Sequence, residues 1–149
     1  MWKLVVPIIA FLPFIAAVAQ SSDPAKTYAD SMVRVIVAAD KDGLYDNFAP
    51  AMKRAYSRDD LLGPLEKSKD MFGSISHPEY RAATVGKRTA GLTIIRIATC
   101  WYAVETTNYP LSVFVDVDVT FDEGRYFVAG YRIERFAKGI PPELQRPQG

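Results

Sequence analysis

The sequence predicts an α+β fold, with about three N-terminal helices packed on a curved four-stranded antiparallel sheet. Up to Pro78, apolar residues recur every three or four positions, as on one face of a helix. After Pro78 they alternate with polar residues, and β-branched and aromatic residues dominate, as in half-buried strands. This change of period, with helices first and strands second, is typical of a two-layer α+β domain.

Composition agrees with one globular domain, because 49% of the 149 residues are hydrophobic and 23% are charged. A formal net charge of +1 argues against a basic nucleic-acid-binding surface. One Cys excludes an internal disulfide framework, and one His argues against a histidine-built metal site. No phosphate-binding loop, dinucleotide fingerprint, HExxH or nucleophile elbow is present, so we expect no cofactor and no metal.

Local signals place the helices. The first helix is expected to begin after Asp23, an N-cap followed by a proline, and to end at Gly43. A second, shorter helix is expected over residues 44–55. The third is expected to begin after the N-cap Ser57, with two aspartates in its first turn, and to end at Gly73.

Four strands are expected, over residues 79–89, 92–105, 110–121 and 125–136. Asp122-Glu123-Gly124 suits a three-residue hairpin loop between the last two strands. If strands two and three are joined by a loop at Thr106-Thr107-Asn108, the register gives one apolar face toward the helices. That face consists of Ile95, Ile97, Trp101, Val113, Val115, Val117, Val119, Phe127, Ala129, Tyr131 and Ile133.

The opposite face is mixed. The same register places Arg96 opposite Asp118, which indicates a cross-strand ion pair rather than a metal site. This face also carries apolar side chains, more than solvent alone would favour, so we expect that the sheet can form a homodimer. They are Ile94, Tyr102, Phe114 and Tyr126.

The N-terminus has the pattern of a secretory signal peptide. Lys3 precedes an apolar stretch of 15 residues that ends in Ala17-Val18-Ala19, so cleavage is expected between Ala19 and Gln20. The stretch is shorter than a membrane span of about 20 residues. Removal of residues 1–19 would leave 130 residues and, without Lys3, 17 basic and 17 acidic residues. We therefore expect a periplasmic or secreted protein without a stable membrane anchor.

Three stretches of the chain resemble the nuclear-transport-factor-2-like superfamily, the cone-shaped fold of ketosteroid isomerases and polyketide-cyclase-like proteins. They are Gly43–Asp46, Ser57–Leu62 and the last hairpin, Gly124–Ile133, with its glycine–aromatic–x–valine–x–glycine–tyrosine pattern. The resemblance is closest to small exported bacterial members, and it implies one domain over residues 20–138 with a C-terminal tail at 139–149. Its motifs are structural and imply no catalytic residues.

Candidate site residues follow from this fold. Tyr28, Tyr45, Trp101 and Tyr131 could line an apolar cavity with polar tips, as in small-ligand sites. Superfamily enzymes place an acid–base carboxylate and a tyrosine in the cone, but the predicted inward face has no carboxylate at its centre. Asp30 and Glu105 are the carboxylates that could lean into it, as weak acid–base candidates.

These observations favour an exported, non-enzymatic binding module over an enzyme. Its partner would be a small apolar ligand in the cone, or a protein on the outer sheet face. One alternative is an isomerase- or cyclase-like enzyme with Asp30 or Glu105 as base and Tyr28 or Tyr131 as hydrogen-bond donor. Another, on fold analogy, is an immunity-type protein that binds a secreted toxin.

Overall fold

A computed structural model describes residues 23–148 and confirms the α+β class and the four-stranded antiparallel sheet. The helices are α1 (Pro24–Val37), α2 (Lys41–Asp46), α3 (Pro50–Ala55) and α4 (Arg58–Phe72). The strands β1 (Ile75–Ala90), β2 (Thr93–Thr106), β3 (Val113–Asp122) and β4 (Arg125–Arg135) pair in chain order, and the sheet is not closed. The expected signal peptide and its cleavage site lie outside the described residues.

The helix starts are where the capping residues predict them. The Asp23 carboxylate accepts a hydrogen bond from the Ala25 amide at 3.0 Å, which satisfies one of the unpaired donors at the start of α1. At α4, Ser57 Oγ accepts from the Asp60 amide at 3.1 Å, and the Asp60 carboxylate accepts from the Ser57 amide at 3.2 Å. This reciprocal capping box fixes where the longest helix begins.

The expected second helix is two short helices, and the first helix ends earlier than Gly43. Helix α1 stops at Val37, and Asp40 then caps α2 through a hydrogen bond from the Gly43 amide at 3.0 Å. Between α2 and α3 the chain touches the edge of the sheet, where Phe48 forms an isolated parallel bridge with Val128 of β4. The backbone groups used in that bridge are unavailable for a continuous helix.

The layer between helices and sheet is filled by side chains. Its largest fully buried members come from α1, α2, the α2–α3 connection, α3, α4 and the strands β3 and β4. Burial of this apolar surface is the main favourable contribution to folding. The largest of these side chains are Ile36, Leu44, Phe48, Met52, Leu65, Val113, Val115, Val117, Val119 and Val128.

The register between β2 and β3 differs from the expected one by three residues. Val117 pairs with Cys100 and Val115 with Tyr102, whereas Ile97 was expected opposite Val117. The cause is the connection, which is six residues rather than three and is anchored on the end of α4. There the Asn108 amide donates to the Phe72 carbonyl at 3.1 Å.

An odd shift exchanges the two faces of a strand, so the expected inward face of β2 is wrong. Cys100, Tyr102 and Val104 belong to the buried core beneath the helices. Trp101 points to the other face, where it pairs with Asp116 of β3 and packs in a separate cluster. In β3 the faces are as expected, and Val117 pairs with Tyr131 in the core. In β4 the faces are exchanged between the turn and the extra residue Ala129. There Phe127, expected inward, pairs with Thr120, and Tyr126, expected outward, stacks on Tyr28 of α1.

The β3–β4 hairpin closes with a two-residue turn rather than three. Asp122 pairs directly with Arg125, and Glu123 and Gly124 both have positive φ, of 50° and 79°. Two such residues form the turn whose twist matches that of the flanking strands. One residue of β4, Ala129, has no partner in β3. It forms a bulge between Val128, which pairs with Val119, and Gly130, which pairs with Asp118.

The end of the β1–β2 hairpin leaves the sheet and folds over strands β3 and β4. Pairing between β2 and β3 stops at Ala98 and Val119. Beyond that point, Ala90 is buried in the cluster that also contains Phe127 of β4. The Arg88 guanidinium donates to the Asp118 carboxylate at 2.7 Å and lies over Gly130 of β4. Each of these contacts joins a residue of β1 to a strand it does not neighbour in the sheet.

The segment expected as a C-terminal tail packs against the sheet. A 3-10 helix at Pro142–Leu144 places Leu144 in a cluster with Phe114 and Ala82 on the face away from the helices. The Gln148 amide donates to the Arg81 carbonyl of β1 at 2.9 Å.

Between residues 23 and 148, none of the helices combines the length and the apolar character needed to span a bilayer.

Position 130 has no room for a side chain, because the Arg88 guanidinium lies directly over Gly130. A Cβ at this position would overlap the Arg88 guanidinium. We expect Gly130→Ala to displace Arg88 from Asp118 and to lower the free energy of unfolding by about 0.5–1 kcal/mol, because the arginine is flexible and half-exposed, as urea titration would measure.

The matched control for that change is Gly86→Ala, because nothing lies within 4 Å of a Cβ there. In an Arg88→Ala background the Gly130→Ala change should have almost no effect. An unchanged cost in that background would show that the overlap with Arg88 is not its cause.

Candidate functional site

The four aromatic residues expected to line one cavity are not brought together. Trp101 lies on the sheet face away from the helices, with its ring centroid 6.3 Å from that of Phe136. Tyr45 is half-buried near the start of α4, where Lys53 and Arg58 each lie 4.7 Å from its ring centroid. The cavity predicted from these residues is therefore not formed by them.

Tyr131 has a structural role inside α4. Its hydroxyl accepts a hydrogen bond from the Leu65 amide at 3.1 Å and donates one to the Leu61 carbonyl at 2.9 Å. An unbroken α-helix would pair these two backbone groups with each other, but Pro64 lies between them and disturbs the helix. Burial raises the pKa of Tyr131 to about 12, which keeps the bridging hydroxyl protonated.

The hydroxyl and the ring of Tyr28 also make contacts within the fold. Its hydroxyl donates to Asn47 Oδ1 at 3.1 Å, and its ring stacks on that of Tyr126 with centroids 6.0 Å apart. Burial raises its pKa to about 12. Tyr28 thus ties α1 to the α2–α3 connection and to the start of β4.

Asp30 meets a tyrosine, but a different one from those expected. Tyr102 donates to Asp30 Oδ1 at 2.6 Å, and Lys26 donates to Asp30 Oδ2 at 2.9 Å. Burial and this hydrogen bond to Asp30 raise the pKa of Tyr102 far above its usual value. The pair borders a small cavity of about 190 Å³, which Tyr80 and Arg34 also line.

Glu105 lies at the far end of β2 and does not lean into the helix–sheet layer. It is exposed and pairs with His77, with Nδ1 and Oε2 3.1 Å apart. His77 itself has a positive φ of 52° at the first irregularity of β1. The weak acid–base candidates are therefore separated, and Asp30 alone has a tyrosine partner.

The largest apolar site is a groove where the sheet splits. Beyond the last β2–β3 pair, Ala98 with Val119, the two strands diverge, and α1 and α3 approach the gap from the helix side. The groove has a volume of about 560 Å³, within the usual range of small-ligand sites. Its lining consists of Ala25, Ala49, Ala51, Arg54, Thr93, Ile95, Arg96, Ile97, Ala98, Val119, Thr120, Phe121, Asp122 and Tyr126.

Small residues on one side and large apolar residues on the other create the groove. The helix side presents alanines, which leave space that larger side chains would fill. The strand side presents Ile95, Phe121 and Tyr126, and Phe121 is exposed although it packs edge-to-face on Tyr126 at 5.0 Å. An exposed phenylalanine beside an open apolar groove is typical of a binding surface.

Two arginines at the groove have no carboxylate partner. Neither Arg54 of α3 nor Arg96 of β2 belongs to an ion pair found within residues 23–148. Asp122 also lines the groove, so the formal charge of its lining is positive by one. The groove can therefore hold an apolar body and pair a single anionic group with an arginine.

A second cleft, of about 530 Å³, lies at the opposite end of α1. Its walls are largely the turn after α1, at Val37–Ala39, and the segment after α4, at Gly73–Ile75. Lys69 is its one cationic side chain. We favour the groove as the site because side chains from both layers wall it and it combines apolar residues with two unpaired arginines.

The outward face of the sheet contains two buried carboxylates that pair with arginines. Arg132 donates to Asp116 Oδ2 from Nε at 2.9 Å and lies within 2.8 Å of it through Nη2. Asp118 accepts from Arg88 and from Thr99 Oγ1, the latter at 2.6 Å. Residues 23–148 hold no group of three or more side chains suited to bind a metal.

Asp116 is the most perturbed acid of the described chain segment. Its side chain is fully buried, and its Oδ1 has no hydrogen-bond partner there. Burial raises its pKa from 3.8 to about 6, against the opposing effect of Arg132.

Comparison with known proteins gives no relative: the chain matches no protein-family model, no curated protein and no solved structure. The site therefore has to be interpreted from its own geometry.

Sequence reasoning missed the groove and the Asp30–Tyr102 pair for one reason. Tyr102 was expected on the outward face, and Ile95 and Ile97 were expected at the centre of the inward face. Both errors come from the three-residue register shift. Arg96 carried a weak signal, because it stands in an apolar segment with no acidic residue beside it, whereas Arg54 follows Lys53 in a polar segment and carried none.

The raised pKa of Asp116 predicts a pH dependence of stability. A folded-state pKa above the unfolded value means that the folded chain binds the proton more tightly, so this contribution is present below about pH 4. It is lost as the pH rises through about 6, and the difference corresponds to about 3 kcal/mol. The unfolding free energy of Asp116→Asn, minus that of the unchanged chain, should rise by about this amount from pH 4 to pH 7.

The control is Asp70→Asn, because Asp70 is exposed on α4 and lies outside the ion pairs of the described residues. Its difference from the unchanged chain should be nearly flat over the same pH range. A flat difference for Asp116→Asn as well would contradict the raised pKa.

Proposed function

We propose that the protein is an exported, non-enzymatic binding module whose groove takes a small apolar ligand with one anionic group. The observation that carries this proposal is the split between β2 and β3, walled by apolar side chains and bordered by the unpaired Arg54 and Arg96. A long-chain carboxylate has both required features. Its chain would contact Ile95 and Phe121, and its carboxylate would pair with an arginine.

The core supports binding rather than catalysis. The buried tyrosine hydroxyls beneath the helices are already hydrogen-bonded, Tyr131 to α4 and Tyr102 to Asp30. A residue whose polar atoms are satisfied by the fold contributes to stability and has no free donor for a substrate. The groove, by contrast, holds Arg54 and Arg96, which belong to none of the ion pairs found within residues 23–148.

Membership in the nuclear-transport-factor-2-like superfamily is part of the proposal. The order of helices before a four-stranded antiparallel sheet supports it, as does the capping motif at Ser57–Leu62. Export rests on the N-terminal pattern of the sequence.

A homodimer through the sheet is also proposed. The C-terminal segment covers part of that face at Trp101 and Phe114, so a dimer would use the remainder, and sedimentation at high concentration tests it.

Filling the groove should abolish ligand binding. Ala51→Trp places a large side chain in a groove that now has an alanine at this position, so the affinity for a dansylated long-chain fatty acid should fall at least about tenfold, as fluorescence titration would measure. Arg54→Gln should weaken binding of the acid by about three- to tenfold and leave the corresponding alcohol unaffected.

Ala137→Trp is the matched control, because Ala137 is exposed after β4 and lies outside the groove. It should bind the fatty acid as the unchanged chain does. Equal binding by Ala51→Trp and the unchanged chain would overturn the assignment of the groove.

One observation favours a second function, an isomerase- or cyclase-like enzyme. The Asp30–Tyr102 pair, at 2.6 Å, borders a cavity with a cation on each side, Lys26 and Arg34. The carboxylate would take a proton from a carbon beside a carbonyl group. At about 190 Å³ the cavity admits a substrate of only a few heavy atoms.

This second function is tested by deuterium exchange into acetoacetate in heavy water, followed by NMR. The enzyme hypothesis requires exchange above the buffer rate that Asp30→Asn removes while the fold, checked by circular dichroism, is kept. Exchange at the buffer rate in the unchanged chain would exclude proton transfer on this substrate class.

A further inference from the structure

The β1–β2 hairpin has a one-sided charge that the whole chain does not share. Between Glu79 and Glu105 there is no acidic residue, although the chain overall carries nearly equal numbers of acids and bases. Four cations lie within this span. Arg81 and Arg88 pair with Glu79 and Asp118, which leaves Lys87 and Arg96 outside the ion pairs found in residues 23–148. A local field of one sign favours an anionic partner.

The outer part of the hairpin has one face against the protein and one face in solvent. Arg88 points inward, toward Asp118, and Ala90 two residues further on is buried on the same face of the strand. The alternate positions must then point outward, since successive strand residues face opposite ways. Two aliphatic side chains on that outward face are exposed, Val85 by 89% and Ile94 by 68%.

The apex of the hairpin is apolar as well. Leu92 follows Gly91 in the two-residue turn between Ala90 and Thr93, and its side chain is fully exposed. Turns usually carry glycine, asparagine, aspartate or serine, and an apex leucine with no packing partner has no role in holding the turn. We call Val85, Lys87, Leu92, Ile94 and Arg96 the hairpin surface.

Two like charges stand directly opposite each other on the hairpin surface. Lys87 pairs with Arg96 across β1 and β2, and neither belongs to an ion pair found in residues 23–148. Like charges at such positions destabilise a sheet. An external anion that contacts both side chains would remove this repulsion.

We propose that the hairpin surface docks the protein on an anionic lipid membrane, with Leu92 and Ile94 entering the interface. About 13 Å separates the apex from the Lys87–Arg96 pair, at about 3.3 Å per strand residue. Apolar groups at a membrane surface are buried about 5–10 Å deep, so the two long cationic side chains reach the lipid phosphates.

The shape of the hairpin surface favours a membrane over an acidic protein. A stable protein interface buries about 800 Å² on each partner and is broad. The hairpin surface is instead a narrow two-stranded end with an aliphatic apex and cations set back from it. This arrangement matches a bilayer, in which the apolar layer lies beneath a layer of phosphates.

Membrane docking goes beyond ligand binding in the groove, and different residues test it. Lys87, Leu92 and Ile94 are outside the groove lining, whereas Arg96 belongs to both sites. Variants at the first three positions therefore change the hairpin surface alone. Binding of the dansylated fatty acid by the same variants shows separately whether the groove functions.

The test is co-sedimentation of residues 20–149, the chain that the expected cleavage leaves, with vesicles of phosphatidylcholine alone or mixed with phosphatidylglycerol. We expect binding to the mixed vesicles only, decreasing with added salt. Lys87→Glu should weaken it about 5- to 30-fold, because each cation near an anionic membrane contributes about a fivefold affinity and the glutamate adds repulsion. Leu92→Ser with Ile94→Ser should weaken it at least about tenfold.

Matched controls change the same residue types elsewhere on the surface. Lys138→Glu alters the net charge as Lys87→Glu does, and Leu111→Ser removes a leucine that is exposed by 76%. Both should bind vesicles as the unchanged chain does. Every variant lacks residues 1–19, so their apolar stretch does not contribute to vesicle binding. Circular dichroism confirms that each variant is folded.

Three outcomes would overturn the proposal: no binding of the unchanged chain to the mixed vesicles, equal binding by Lys87→Glu, or an equal loss in Lys138→Glu. The last would show that net charge alone governs binding. Equal binding to phosphatidylcholine alone would also oppose it, because the anionic headgroup would then have no part.

Discussion

Arg88 crosses from β1 to Asp118 on β3, and this contact holds the end of the β1–β2 hairpin over two strands that β1 does not neighbour. The hairpin can fold over only if β2 leaves β3, which it does beyond Ala98, and only if Gly130 offers no side chain beneath the guanidinium. Two surfaces follow from this geometry. The gap left between the strands is the groove, and the hairpin face turned away from Asp118 is the hairpin surface. The Coulomb energy of a half-exposed arginine is modest, so the main effect of this contact is on shape.

The hydrogen bonds of the buried polar side chains explain why we assign the function to residues at the surface of the protein. Beneath the helices, buried polar groups are used to complete the fold: Tyr131 bridges α4 at Pro64, and Tyr102 satisfies Asp30. A hydroxyl left unpaired at such positions would cost free energy, so these pairs are explained by stability alone. The groove differs, because Arg54 and Arg96 could be replaced there without leaving any buried group unpaired. Charged side chains that the fold does not need are the ones available to a partner.

The sequence was informative where a signal is local and less so where it depends on tertiary packing. Asp23 and Ser57 mark helix starts because a cap acts on amides two or three residues away. The faces of β3 followed from alternation, but those of β4 near the turn did not, because the extra residue Ala129 exchanges Tyr126 and Phe127 between the two faces. The register of β2 did not, because it depends on how the connection after Thr106 attaches to the end of α4. An error of three residues moved Trp101 to the wrong face and hid the meeting of Asp30 with Tyr102. The split in the sheet was equally hidden, since Arg88 gives no sign in sequence of which strand it will reach.

The pairing of charged side chains across strands differs between the β1–β2 hairpin and the β3–β4 hairpin. Where β3 and β4 meet, the protein pairs opposite charges: Asp116 stands opposite Arg132, and Asp122 opposite Arg125. Where β1 and β2 meet near the apex, it pairs Lys87 with Arg96, and no acid lies nearby in sequence to offset them. A single acidic residue at either position would relieve the repulsion at no cost to packing, because both side chains are exposed. The arrangement is therefore less favourable for the isolated chain than in contact with an external anion. Since aliphatic side chains surround these cations, that anion belongs to a partner with an apolar layer, which is the property of a lipid membrane.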